Sequence, residues 1–188
     1  MKFTVEKKMD NKITPVKTAA AIVIGAALMF VLNRFASIPT GVPDTYIIPG
    51  IGILSAFAAI FGPVAGLIIG FAGHFFVDLS WGEVWWSWVI SSALYGFAIG
   101  LCRKMYQTEE GKFGVKQMLI FNGVQIAANV LVWVFIARTL DMFIYREPFG
   151  KVSLQGFAAA GFNILVVLAV GTVLVIGYHK IAARIGKK

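Results

Sequence analysis

His74 and Asp78 stand four residues apart in GHFFVDLSWGEVWWSWVI (73–90), a stretch that also holds Glu83 and four tryptophans, Trp81, Trp85, Trp86 and Trp88. On a helix this spacing brings the imidazole to the carboxylate. The pair then suits a general base with its orienting carboxylate, a proton relay, or the start of a metal site. It equally suits a structural or ligand-orienting hydrogen bond. Little around it favours catalysis: the other histidine, His179, lies far along the chain, and no HExxH or nucleophile motif is present. Trp81, Trp85 and Trp88 are spaced by 4 and 3 residues, so they share a face if one helix includes all three, with Trp86 about a quarter-turn away. Such indoles fit either an interfacial aromatic belt or the walls of a site for a planar ligand.

A second polar set is uncharged. Asn122, Gln125, Asn129 and Trp133 are separated by 3, 4 and 4 residues, which keeps them on one helical face, and Asn163 is a candidate neighbour from another helix. Side-chain amides both donate and accept, as a neutral heterocycle with ring nitrogens and hydroxyls requires. The same groups also serve as interhelical hydrogen-bond glue.

The elements that carry these residues are apolar. The chain of 188 residues is 59% hydrophobic and 14% charged, with mean hydropathy +0.81; a soluble domain carries about 25% charged residues. About 20 apolar residues cross a bilayer as a helix, and six segments qualify, roughly 17–35, 46–61, 63–79, 84–102, 115–140 and 154–183. The expected fold is an all-α integral membrane protein, a single domain over 1–188. Gly62-Pro63 makes a tight turn between the second and third spans, and Pro49-Gly50 shortens the regular part of the second. The lone Cys102 excludes an internal disulfide. A cleaved signal peptide is not expected, because the apolar run from Thr18 to Leu32 is too long and no cleavage site comes after it.

Six spans place both termini on one side, and the basic residues choose the side. Lys2, Lys7, Lys8, Lys12 and Lys17, then Arg103, Lys104, Lys112 and Lys116, then Lys180, Arg184, Lys187 and Lys188 fall on the terminal side. Only Arg34, Arg138, Arg146 and Lys151 fall on the other. Cytoplasmic termini are the consequence, and the formal charge of +8 needs no nucleic-acid partner. The stretch 73–90, the Pro- and Gly-rich segment 36–50 and the loop 141–153 then lie together on the outer face. Small residues at four-residue spacing, Gly62, Gly66 and Gly70 and also Gly96 and Gly100, mark packing faces. Ala21, Gly25 and Ala26 form another smooth patch, open to internal packing or to a second membrane protein.

RFASIPTGVPDT (34–45), IFGPVAGLIIGFAGHFFVDL (60–79), WWSWVISSALYGFAIGL (85–101), FNGVQIAANVLVW (121–133) and LDMFIYREPFGKVSLQG (140–156) together resemble the S components of energy-coupling factor (ECF) vitamin transporters. Within these the chain is most similar to the riboflavin-type and hydroxymethylpyrimidine-type group, and GHxxxD with WWSWVI after it is the specific signature. The resemblance implies a substrate-capturing subunit in the bacterial cytoplasmic membrane, working with a transmembrane coupling subunit and two cytoplasmic ATPases that use ATP and magnesium. It implies no cofactor or metal in this chain, which has no Walker lysine motif. It assigns ligand contact to Trp85, Trp88, Gln125, Asn129, Trp133 and Asn163 beside His74 and Asp78, with Pro39, Thr40, Pro43 and Tyr46 in a lid loop. It places docking of the coupling subunit near Ala21-x-x-x-Gly25. Two other classes stay open: a stand-alone carrier coupled to protons through Asp78 or Glu83, and a small intramembrane enzyme using His74 and Asp78.

Overall fold

The computed structural model describes residues 13–106 and 113–185. Of the basic residues that set the orientation, Lys2, Lys7, Lys8, Lys12, Lys112, Lys187 and Lys188 lie outside the described residues. Among the described residues six long helices form the bundle: α1 (Pro15–Phe35), α2 (Gly50–Phe61), α3 (Pro63–Trp81), α4 (Trp86–Leu101), α5 (Val115–Ile144) and α6 (Phe149–Arg184). The architecture is all-α, as the apolar runs imply. Four helices are long and apolar enough to cross a membrane, while α2 and α4, with 12 and 16 residues, are shorter. At about 1.5 Å per residue α2 spans only about 18 Å.

Local chemistry sets the boundaries. Thr14 caps α1 by accepting the Lys17 N–H (3.3 Å), and Pro15 occupies the first helical position. Between α2 and α3, Gly62 takes φ 95° and its N–H returns to the Ala58 carbonyl at 2.8 Å, so Pro63 starts the next helix at once. The second helix begins at Gly50 and not at 46. Tyr46–Ile47 (β2) instead pairs antiparallel with Ile38–Pro39 (β1), in the register Ile38 to Ile47 and Pro39 to Tyr46. Trp81 likewise belongs to the last turn of α3. Gly82, at φ 102°, stops that helix in the left-handed conformation, and α4 starts only at Trp86, so Trp81, Trp85 and Trp88 do not share one helical face. The last helix starts at Phe149, earlier than its apolar run, behind Pro148.

Small residues hold the bundle close. A side chain on Gly66 would strike the Gly96 carbonyl, and one on Gly96 would strike Gly66; Gly70 faces the Ser92 carbonyl and Gly100 faces Pro63. These contacts bear out the glycine spacing: α3 and α4 pack backbone to backbone. α2 is buried on nearly its whole circumference, which removes the need for a polar face. The patch on α1 turns inward. Ala21 is 5% exposed, and a Cβ on Gly25 would sit 2.7 Å from Ile69 Cδ1. Within this chain Ala21 and Gly25 thus serve internal packing, Gly25 against Ile69 of α3 and Phe57 of α2, while Ala26 is half-buried beside an apolar groove between α1 and α3.

Both α5 and α6 contain π-helical segments, Val130–Ala137 and Val167–Gly171. Each such segment shifts the rotational phase of the helical turns beyond it. The chain from Pro15 enters the bundle at one end; the hairpin of β1 and β2 and the turn from α3 to α4 gather at the other.

Candidate functional site

The His–Asp pair and the indoles of Trp85 and Trp88 are fixed from behind. His74, on α3, has Nδ1 2.7 Å from Ser92 Oγ on α4 and Nε2 3.5 Å from Asp78 Oδ1. The i,i+4 pair therefore meets. Asp78 also reaches across the Gly82 turn: its Oδ2 accepts the Trp85 N–H at 3.0 Å, satisfying a backbone donor just before α4. One carboxylate thus orients the imidazole and closes the α3–α4 corner.

The indoles are held by a residue that spacing does not single out. Asp141, on α5 and 2% exposed, accepts Trp85 Nε1–H at 2.7 Å, Trp88 Nε1–H at 2.9 Å and the Ser87 hydroxyl. Tyr145 stacks on Trp85 with centroids 4.1 Å apart and accepts the Trp86 N–H at 2.8 Å. The sequence does carry a signal for Asp141, an aspartate within LDMFIYREPFG, but its partners lie more than fifty positions away.

Segment 36–50 folds over this corner as a stapled hairpin. Thr40 Oγ1 donates to the Thr45 carbonyl (2.8 Å) and accepts the Val42 N–H (3.1 Å). Gln155 Nε2 on α6 donates to the Pro43 carbonyl at 2.9 Å. Lys151 Nζ lies 3.6 Å from Asp44 and 3.1 Å from Glu147, and Tyr46 packs 5.6 Å from Trp81. At the base, Asn33 Oδ1 on α1 accepts the Gly50 N–H at 2.8 Å.

These parts surround a cavity of about 680 Å³, lined by His74, Asp78, Trp85, Trp88 and Asn163 among the expected residues, and by Tyr46 from the loop. Asn33, Asp44, Trp81, Glu83, Lys151 and Gln155 join them. Pro39, Thr40 and Pro43 shape the hairpin without lining the cavity. Gln125, Asn129 and Trp133 are wholly buried away from it. Asn129 Nδ2 donates to Gln125 Oε1 (3.0 Å) and Tyr95 OH (3.3 Å); Tyr95 OH meets Ser55 Oγ at 2.9 Å; Thr172 Oγ1 donates to Asn122 Oδ1 at 3.1 Å. The amide face thus ties α2, α4, α5 and α6 together. The Trp133 ring packs against Trp88 with centroids 5.2 Å apart without itself lining the cavity. Among the described residues no three His, Cys, Asp or Glu side chains gather as a metal site.

A cavity of indoles and hydrogen-bonding groups at one end of an all-helical apolar scaffold has the makings of a small-molecule site. The family model for the ECF-type riboflavin transporter, S component, matches residues 13–180. The chain belongs to that family. This S component is similar to a UPF0397 protein of Lacticaseibacillus casei (strain BL23), 43% identical over 94% of this chain and 96% of the relative. It is also similar to a UPF0397 protein of Lactobacillus gasseri, 48% identical over 87% and 89% of the two chains. UPF0397 protein SAR2767 of Staphylococcus aureus (strain MRSA252) is 45% identical over 92% of each. No solved structure matches the chain. An S component is the substrate-binding membrane part of a transporter, and transport is the class to which this protein belongs.

Proposed function

We propose that this S component captures a small planar heterocyclic vitamin or precursor from outside the cell and releases it inward only when joined to a transmembrane coupling subunit and two cytoplasmic ATPases. In this reading all six helices lie in the cytoplasmic membrane with both termini inside, and ATP and magnesium act in the partner subunits. The observation that carries it is the cavity: three indoles, a His–Asp pair and Asn163 at the end of the bundle where the hairpin and the α3–α4 corner meet. Its volume of about 680 Å³ falls mid-range for sites that enclose a small organic ligand, so it admits one ring or three, and hydroxymethylpyrimidine, a pyridoxine-like ring and riboflavin all remain candidates by size.

Purified protein, analysed by mass spectrometry for small molecules that travel with it and then titrated with a panel of B vitamins and precursors, tests the proposal. A bound heterocycle of this class is expected. No binding in either the isolated or the complexed state would overturn it.

The contact of His74 with Asp78 inside the cavity supports two competing readings, a proton-coupled carrier and an enzyme. Vesicles holding this chain alone, with a pH gradient and no ATP, separate the carrier: uptake there favours it. Turnover lost in His74→Ala with affinity retained favours the enzyme.

A further inference from the structure

The cavity is unbalanced in charge. Asp44, Asp78 and Glu83 line it, and Lys151 is its one lining lysine or arginine among the described residues. That ammonium is already engaged by Glu147 and Asp44. Behind the indoles, buried Asp141 accepts three hydrogen bonds and has no lysine or arginine at ion-pair distance among the described residues. The first turn of α4 offsets part of this, since a helix N-terminus supplies about half a positive charge. Two buried carboxylates, Asp78 and Asp141, share that half. A buried charge without its counter-charge is costly, and the one further base beside these carboxylates is His74, 3.5 Å from Asp78, so the site is short of fixed positive charge.

Two further observations point to a ligand. Asn163 is 2% exposed and lines the cavity, and its side-chain amide bonds to no other described residue, so its polar atoms are free to face what enters the cavity. The indole N–H groups of Trp85 and Trp88 are both spent on Asp141, so toward a ligand these rings offer carbon surface and π electrons. Donation to an anion polarises the donor, which makes the indoles better partners for a cation.

We infer that the cavity selects a cation: a planar ring carrying a fixed or protonated positive charge and no phosphate or carboxylate, packed against Trp81, Trp85 and Trp88, compensated by Asp78, and hydrogen-bonded by Asn163. This deepens the capture reading and rests on it.

The test compares probes that differ in charge on one ring. Dissociation constants of nicotinamide and 1-methylnicotinamide, and of thiamine and thiamine monophosphate, are measured on the purified full chain by tryptophan quenching, and the charge of any co-purified molecule is read by mass spectrometry. Each cationic member is expected to bind about tenfold more tightly than its neutral or phosphorylated counterpart. Asp78→Asn should reduce that preference about tenfold, and the double variant Asp44→Asn/Glu83→Gln about twofold. If Asp78→Asn does not fold, the wild-type ratio and the double variant decide. A ratio at or below one, a ratio unmoved by these substitutions, or a neutral or anionic co-purified molecule overturns the inference and leaves capture standing. Absence of any ligand overturns capture and the inference together.

Discussion

Two polar regions of this bundle answer the same problem in opposite ways. Midway down, Asn122, Gln125, Asn129, Tyr95, Ser55 and Thr172 bond mainly to one another. At the end, the cavity groups are braced from behind but incompletely satisfied in front. Polar groups are expensive at membrane depth. The first, largely closed network removes most of that cost within the protein, leaving only Asn129 Oδ1 and Trp133 Nε1 of the α5 stripe without a partner, whereas an open one leaves it to be removed by whatever enters. The difference separates polar residues that hold helices together from those that select a ligand, although both sets are written in the same residue types.

Asp141→Ala is expected to do the most damage, because Asp141 braces the open region from behind. It strips a shared acceptor from Trp85, Trp88 and Ser87, and each orphaned donor costs about 1–3 kcal/mol. Thermal unfolding in detergent should shift to a sharply lower temperature and ligand binding should be lost. Asp141→Asn, which keeps one acceptor oxygen, should recover part of both. Binding within about twofold of the parent in Asp141→Ala would mean that the indoles need no brace.

The contrast itself is sharpened by a matched pair. Asn129→Ala should lower stability by about 1–3 kcal/mol, seen as earlier unfolding, with the dissociation constant changed by less than about twofold. Asn163→Ala should reverse the pattern, with affinity down about tenfold and unfolding little moved, since no internal bond is broken. Equal effects on both properties in both variants would erase the distinction between the two regions.

How much of this is readable in the chain depends on what kind of fact it is. Helix count and the glycine faces come from periodicity, because Gly66 and Gly70 must meet something close, and the backbone at Gly96 and at Ser92 supplies it. The His74–Asp78 contact comes from i,i+4 geometry. The amide stripe shows where such reasoning ends. Spacing establishes that Gln125, Asn129 and Trp133 share a side of α5; it does not say what lies opposite, and Tyr95 lies there in place of an opening. The π-helical segment through Trp133 adds a phase shift that a 3.6-residue period does not anticipate. Trp81 ends α3 instead of opening α4 for a related reason. The chain direction there is set by Gly82 and by the Asp78 carboxylate reaching Trp85, a tertiary bond with no local signature. Asp141 escapes any local pattern because its meaning comes wholly from residues on another helix.

The smallest expected effect concerns the hairpin that covers the open region. It is tied to α6 by the Gln155–Pro43 bond (2.9 Å) and by Lys151 near Asp44 at 3.6 Å. The Asp44 side chain is 76% exposed, and an exposed ion pair contributes about 0–1 kcal/mol, so Lys151→Ala should leave unfolding almost unchanged. Gln155→Leu removes a donor that is 6% exposed and leaves the Pro43 carbonyl without it, at about 1 kcal/mol. That is too little to unfold six helices but enough to shift a loop between two positions. Hydrogen exchange of residues 38–47 should therefore quicken severalfold in Gln155→Leu and barely in Lys151→Ala, with the exchange of α2 and α3 unaltered. Faster exchange throughout the bundle would instead make the hairpin part of the closed, structural region. The boundary between the two halves of the molecule would then lie nearer the surface than the cavity lining suggests.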